Sequence, residues 1–409
     1  MDNKIRLIQE TGFNFFNDFT NLDESSQGYG LTVDHSKDLD KASIAATGFT
    51  LSSYIIADKY NYLNRDEIIK RVLGTLKTLY YNVDHYEGFF AHFVNMKTGK
   101  RHKKSEYSTI DTALALNGII AVSSYFDNEE INKYSDLIIK RVNWRHFFHK
   151  KNGKLTLYMA YNDLKNGDYV KDEAGFIHHW QMFAEQLMMY VIIAGDDRYK
   201  KEEALELYQS FERIYGKYGN QEYIYTPGNT LFVYQFPLAW LDLEKIVDSD
   251  NISWFDNARK AILSNYEWTK NENHQFKTLK DGLFGKTASD TPKGYSVFHA
   301  LPNVNNEVLT DGSVGAHGII GSLPFASEIV FPAIDKMLEI EGFWDENYGF
   351  YDSVNLEGEN VWISERFYGI DKGLETLMAN AYLSKDVQNA YMKHPIIKNG
   401  MRNLLWKKK

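Results

Sequence analysis

The chain has 409 residues and a net charge of −9, with no basic tract beyond the terminal Trp406-Lys407-Lys408-Lys409, a balance that speaks against nucleic-acid binding. It contains no cysteine, which excludes disulfides, thiolate catalysis and cysteine-ligated zinc. Hydrophobic residues make up 44% and aromatic residues 15%, enough for a sizeable core and far from the composition of a disordered chain. No stretch approaches about 18 uninterrupted apolar residues, so no membrane span is expected. No apolar signal-peptide core follows Met1-Asp2-Asn3-Lys4-Ile5-Arg6, so the expected location is cytoplasmic, or secreted or periplasmic if a leader has been removed. The sequence leaves the oligomeric state open.

All 7 prolines lie at Pro227 or later, so no proline interrupts helices in the first half. Ile44, Gly48, Leu51 and Ile55 mark one face of a helix over about 40–59. Asn64-x-x-Glu67 reads as a capping box before Ile68, Val72, Leu76 and Leu79. Ser108-x-x-Asp111 opens a third helix, with Ala113, Leu114, Gly118 and Ala121. Asp127-x-x-Glu130 opens a fourth, with Ile131, Tyr134 and Ile138. A fifth helix is expected over 179–195 and a sixth over 201–218. Tyr223–Val233 reads as irregular or short strand, followed by an apolar helix near 236–247 and another over Trp254–Trp268. Residues 274–318 are rich in Gly, Pro, Asn and Asp and read as long loops, which in a compact domain are more often functional than idle. Helices resume over 324–341 and 371–384. Six helical pairs closed into a toroid would use residues 1–409 as one domain. An open solenoid would need a clearer period.

The segment His178-His179-Trp180-Gln181-Met182-Phe183-Ala184-Glu185 continues into apolar residues on every side. A helix apolar all round is buried, and a carboxylate inside it is costly unless paired or facing a cleft. Burial would raise the Glu185 pKa toward the range of a general acid. The competing reading is a buried ion pair with an arginine such as Arg145. In Lys104-Ser105-Glu106-Tyr107-Ser108-Thr109-Ile110-Asp111, Asp111 fits either a capped helix start or a cleft carboxylate. Glu106 fits either a solvated loop charge or a functional acid. Gly285-Lys286-Thr287-Ala288-Ser289-Asp290 and Asp311-Gly312-Ser313-Val314-Gly315-Ala316-His317 are dense in small and acidic residues that also serve turns. With Tyr348-Gly349-Phe350-Tyr351-Asp352, Val361-Trp362-Ile363-Ser364 and Phe367-Tyr368-Gly369-Ile370-Asp371 they look like the rim of a carbohydrate cleft, where aromatic rings stack on sugars. No phosphate-binding loop, strand-linked dinucleotide motif, HExxH zinc motif or Gly-x-Ser-x-Gly elbow is present, and His178-His179 lacks helical zinc-ligand spacing.

These segments resemble, in order and spacing, the glycoamylase-like family that includes endo-β-1,2-glucanases of glycoside hydrolase family 144 and the C-terminal domain of cyclic β-1,2-glucan synthases. The likeness runs from Phe15-Phe16 and Ala42–Phe49 through Gly88-Phe89-Phe90-Ala91-His92-Phe93, Ser105–Leu114, Trp180–Glu185, Phe284–Asp290 with Gly294-Tyr295, Asp311–Ser313, Gly321–Phe325 and Tyr348–Phe350 to Gly369–Gly373. It implies an all-α (α/α)6 barrel with long cleft-forming loops, oligosaccharide or polysaccharide substrates with β-1,2 linkages favoured, and carboxylate acid/base chemistry without metal or cofactor. It maps the catalytic acids onto Glu185, Asp111 and Glu106. Substrate contacts are expected at Phe89, Trp180, Asp290, Tyr295, Asp311, Trp362 and Asp371. The chain departs from the family pattern at Ala160-Tyr161, Tyr234, Pro237-Leu238, Lys372-Gly373-Leu374 and Asn380-Ala381. Alternative expectations are a transglycosylase or exo-acting glucosidase on short saccharides, and a non-catalytic glycan-binding protein on the same toroid.

Overall fold

The computed structural model describes residues 2–272, 275–280 and 282–409; His274 and Asp281, in the expected loop over 274–318, lie outside the described residues. The helices alternate between two environments. The even-numbered ones are buried on most or all sides: α2 (Ile44–Tyr60), α4 (Thr109–Phe126), α6 (Leu187–Gly195), α8 (Leu231–Gln235), α10 (Ala316–Ile320) and α12 (Gly369–Leu383). The odd-numbered ones pack outside them: α1 (Asp2–Asp18), α3 (Arg65–Tyr81), α5 (Glu129–Arg141), α7 (Lys201–Ser210), α9 (Trp254–Glu272) and α11 (Leu323–Leu338). Sequence decides the layer. In α6, Leu187 through Ala194 are all buried, as expected of a helix apolar on every face. In α5 only Ile131, Tyr134, Ser135, Ile138 and Ile139 are, the stripe of an amphipathic helix.

Six outer–inner pairs thus form an (α/α)6 barrel. The first outer helix, α1, packs against the last inner one, α12, which closes the ring. Two further helices, α13 (Asp386–Lys393) and α14 (Pro395–Asn403), pack on α4 and α6 respectively. A continuous core runs from Ile5 to Trp406. By length and composition α4 could cross a membrane, but 83% of it is buried inside the protein, which is the setting of a core helix. Helices α2 and α4 approach closely because both carry glycine at the crossing. A Cβ on Gly118 would lie 2.1 Å from the Gly48 carbonyl oxygen.

Small antiparallel strands, not anticipated from the helical periodicity, lead into the inner helices. Lys41–Ser43 runs into α2, whose N-cap Ser43 accepts from the Ala46 amide. Tyr107–Ser108 runs into α4, and Val314–Gly315 into α10. The strand Lys154–Asn162 is central: it pairs with Tyr107–Ser108 on one side and with Gly175–His179 on another.

Several expected elements are shorter or shifted. The helix expected over 179–195 begins only at Leu187. Residues 175–179 are strand, Met182 bridges in parallel to Glu212, and the Gln186 side chain bonds the Ala184 amide and the Met182 carbonyl. Those bonds hold the backbone in a bend where apolarity alone suggested helix. The helix over 201–218 ends at Ser210, and the hairpin Tyr215–Tyr218/Gln221–Ile224 follows. The helix expected near 236–247 is not formed: α8 lies earlier, within the stretch read as irregular or short strand, and residues 236–247 hold a 3-10 turn over Phe236–Ala239 and the short strand Ile246–Val247. Asn128, not Asp127, caps α5 through the Glu130 and Ile131 amides; Asp127 instead ends α4 in the left-handed conformation. Asn64 caps α3 as expected, but Glu67 turns to Arg71 rather than closing a capping box.

Candidate active site

The chemistry-bearing side chains gather at the N-terminal ends of inner helices, where unpaired amides favour negative charge. Asp111 lies in the first turn of α4. Its amide bonds the Ser108 hydroxyl at 3.2 Å, and that hydroxyl donates to Asp111 Oδ2 at 2.6 Å. The capping and functional readings of Asp111 therefore hold together: one oxygen serves the cap, and Oδ1 faces His92 Nε2 at 3.4 Å. The other ring nitrogen, Nδ1, lies 2.9 Å from Glu106 Oε1. Glu106 is 6% exposed, so it is not a solvated loop charge. The three side chains form a row, Glu106–His92–Asp111.

Burial opposes the charge on His92, yet Asp111 and Glu106 outweigh it and hold the imidazole up at about 9. Burial also pushes against Glu106, but its bond to His92 keeps the carboxyl below its ordinary value. At Asp111 burial prevails over His92 and Ser108, and the pKa is raised. Partial burial, then the charges of Glu106 and Asp111, raise the Tyr169 hydroxyl, which hangs over this row from the loop after the strand Lys154–Asn162.

Glu185 sits in a bend two residues before α6. Burial, reinforced by the negative charge of Asp111, lifts its carboxyl to about 7. The ion pair with Arg145 is not formed; Arg145 pairs with Glu203 at 2.6 Å. The bend is pinned: Phe183 stacks on Trp254 at 4.4 Å and its amide bonds the Glu212 carbonyl. Trp180 ties it to α4, because its indole donates to Thr109 Oγ1 at 3.1 Å and that hydroxyl donates to the Met159 carbonyl.

A second row, Asp352–His317–Asp371, lies at the starts of α10 and α12. His317 is fully buried, with Nδ1 3.6 Å from Asp352 Oδ1 and Nε2 3.3 Å from Asp371 Oδ1. Here burial wins. It pushes His317 down to about 3, Asp352 up to about 6 and Asp371 well above its ordinary range. The nearby charge of Asp352 adds to burial in raising Asp371. Asp352 Oδ2 also accepts the Asp290 amide at 2.6 Å, and Asp290 Oδ2 accepts the Ser364 hydroxyl at 2.9 Å. Tyr368 lies between Tyr295, at 5.3 Å, and His35, at 5.2 Å between ring centres.

Asp34 links the two rows. Its charge acts on both His92 and Asp371, its carboxylate pairs with Lys41 at 2.8 Å, and Lys41 lies over the Phe93 ring that stacks on His92. Both rows bring histidine and carboxylate atoms within 4.8 Å of one another. In each, however, the imidazole turns its two nitrogens to two different carboxylates, whereas a metal takes one nitrogen per histidine.

Two expected sugar contacts are overturned. Phe89 is fully buried against Trp144 and Phe147, and Trp180 is 4% exposed and spent on Thr109. Asp311 uses its carboxylate on the Ser313 amide, a turn bond. Trp362 is half-buried in a short strand beside Asn355. Asp290, Asp371 and the 45%-exposed Tyr295 gather at the second row. Tyr169 and Asp34 were not singled out from sequence; His317 and Asp352 stood only at the ends of the candidate segments Asp311–His317 and Tyr348–Asp352, and His92 only inside a resembling segment.

The family model described as "Glycoamylase: Putative glucoamylase" matches residues 177–395. The chain belongs to this Glycoamylase family. It is 23% identical over 404 residues to the exo β-1,2-glucooligosaccharide sophorohydrolase (non-reducing end) of Parabacteroides distasonis, an alignment covering 89% of this chain and 53% of that protein. The chain thus spans about half the length of this curated relative. Among solved structures, the endo-β-1,2-glucanase of Chitinophaga pinensis, in complex with sophorotriose and glucose, superposes with a TM-score of 0.83 at 20% identity, covering 100% of this chain and 99% of that one. A β-1,2-glucanase of Parabacteroides distasonis superposes with a TM-score of 0.80 at 20% identity, over 99% of this chain and 60% of that one. These superpositions establish the Glycoamylase barrel.

Proposed function

We propose that the chain is a glycoside hydrolase acting on β-linked glucans or gluco-oligosaccharides, β-1,2 linkages favoured, with Glu185 as general acid and Asp111 as the second carboxylate. The observation that carries this reading is the Glu185 carboxyl, held near neutrality by burial and by the charge of Asp111. A group with that pKa is still protonated at the pH where its partner is ionised, which is the division of labour glycoside hydrolysis needs. Glu185 would protonate the leaving oxygen while Asp111 acts on water or on the anomeric carbon. Glu106, bonded to His92, stands behind Asp111. The activities named for the relatives support the linkage. The exo activity named for the Parabacteroides sophorohydrolase favours a second reading, an exo-acting enzyme on short β-1,2-glucooligosaccharides.

The test is incubation with β-1,2-glucan, its short oligomers, and β-1,3-, β-1,4- and α-linked glucans, followed by product analysis. Cleavage confined to β-1,2 linkages is expected. Binding of several glycans without cleavage of any would replace the hydrolase by a glycan-binding protein. Undiminished turnover by Glu185→Gln would remove Glu185 as the acid.

A further inference from the structure

The His92 ring has little freedom. Its backbone amide donates to the Glu106 carbonyl at 2.9 Å, and its carbonyl accepts the Ile44 amide at 3.2 Å. The ring stacks on Phe93 with centres 3.7 Å apart and planes at 22°. Held this way, it presents Nδ1 to Glu106 and Nε2 to Asp111. Both partners are acceptors when ionised, so only the doubly protonated imidazole can satisfy both sides. The groups facing it are Glu106 and Asp111 on two sides, Asp34 with its partner Lys41 beyond Phe93, and Tyr169 and Glu185 past the two carboxylates. Among these charges Lys41 is already paired with Asp34. His92 is therefore the cation that directly meets the two cleft acids.

We propose that His92 is a positioning residue: a bridging imidazolium that keeps Glu106 and Asp111 ionised together and holds Asp111 in register with Glu185. Two carboxylates buried in one site without an intervening cation repel, and one takes up a proton near neutrality. Loss of the bridge would then neutralise Asp111 first, since burial raises it even with His92 in place, whereas Glu106 is held down. This role rests on the acid/base reading of Asp111 and Glu185, but the charge state of the ring can be read without turnover.

The direct measurement is nitrogen-15 NMR of the 12 histidines, with the His92 signal assigned by its loss in His92→Gln. Expected is a His92 ring that stays doubly protonated at pH 8 in the native protein and titrates at lower pH in Glu106→Gln. A native ring that loses its proton near the ordinary value of 6.5 overturns the proposal whether or not the protein cleaves glucan. The kinetic arm uses His92→Gln. The acidic limb of kcat/KM should move up by about one pH unit or more, with KM changed less than about threefold. A fall in kcat with the limb unmoved would assign His92 a purely structural part and overturn the positioning role. If no glucan is cleaved, the hydrolase reading fails and the NMR arm alone decides the bridge. The NMR of the native protein and Glu106→Gln keeps the proposal testable even if His92→Gln fails to fold.

Discussion

The two rows, Glu106–His92–Asp111 and Asp352–His317–Asp371, each set one imidazole between two carboxyls, yet with opposite protonation. His92 keeps its side chain 25% exposed and is held charged. His317 is fully enclosed and is held neutral, with its carboxylates raised instead. Burial weighs on both histidines, but Glu106 approaches His92 to 2.9 Å and with Asp111 outweighs it, while Asp352 stands 3.6 Å from His317 and both acids beside that ring are themselves raised. The open row stores negative charge beside the cleft. The closed row stores a proton. A histidine between two acids is therefore not one kind of site; the closeness of the acids and the depth of burial decide together.

The comparison can be broken most forcefully at the open row. Glu185→Gln should lower kcat on a cleaved glucan by about 10²–10⁴-fold, and Asp111→Asn by about 10²-fold or more; initial-rate kinetics on purified protein read both. The same Glu185 change has a pH-dependent effect on stability. The carboxyl binds its proton more tightly folded than unfolded, so its contribution is full below the ordinary value of 4.5 and is lost as pH rises through about 7. Glu185→Gln should accordingly raise Tm at pH 8 and change it little at pH 4, as thermal scans at the two values would reveal. At the closed row, Asp352 behaves alike, with stability lost between its ordinary 3.8 and about 6. The Tm difference between Asp352→Asn and the native protein should be more positive at pH 8 than at pH 3.5; the reverse order would mean that the closed row is charged like the open one. The smallest effect concerns the frame that spaces the rows. Gly118→Ala would push a methyl into the Gly48 carbonyl, and overpacking of this kind costs about 1–3 kcal/mol, measurable by denaturant unfolding.

Much of the frame was legible because periodicity reports burial. The helices over 40–59, 254–268 and 371–384 emerged within a few residues as α2, α9 and α12, and the pairing of Gly48 with Gly118 was foreshadowed on their apolar faces. The elements that failed were those governed by single polar bonds. Gln186, folding back on Ala184 and Met182, shortened the Glu185 helix, and periodicity carries no trace of such a contact. Within the site, Glu185 and Asp111 could be singled out because each is a carboxylate in apolar or capping surroundings. His92, His317 and Asp352 stood inside candidate segments but could not be given roles, since the partner that gives each its meaning is distant in sequence. Aromatic residues misled for a related reason: Phe89 and Trp180 carry the residue types of a sugar platform, but hydrophobic area is as readily spent on the core.

Helices α13 and α14 lie against the inner helices α4 and α6. The Tyr391 hydroxyl of α13 donates to Asn117 of α4 at 2.7 Å in the buried interior, and Gly400 of α14 lies against the Val191 carbonyl of α6. Val191 belongs to the helix that follows the Glu185 bend, and Asn403 of α14 donates to the Ala194 carbonyl of that helix at 2.7 Å. The last helices are thus a clamp on the element that anchors Glu185: a chain cut before Pro395 would bare the apolar surface of α6 and loosen that bend without altering a residue of the cleft.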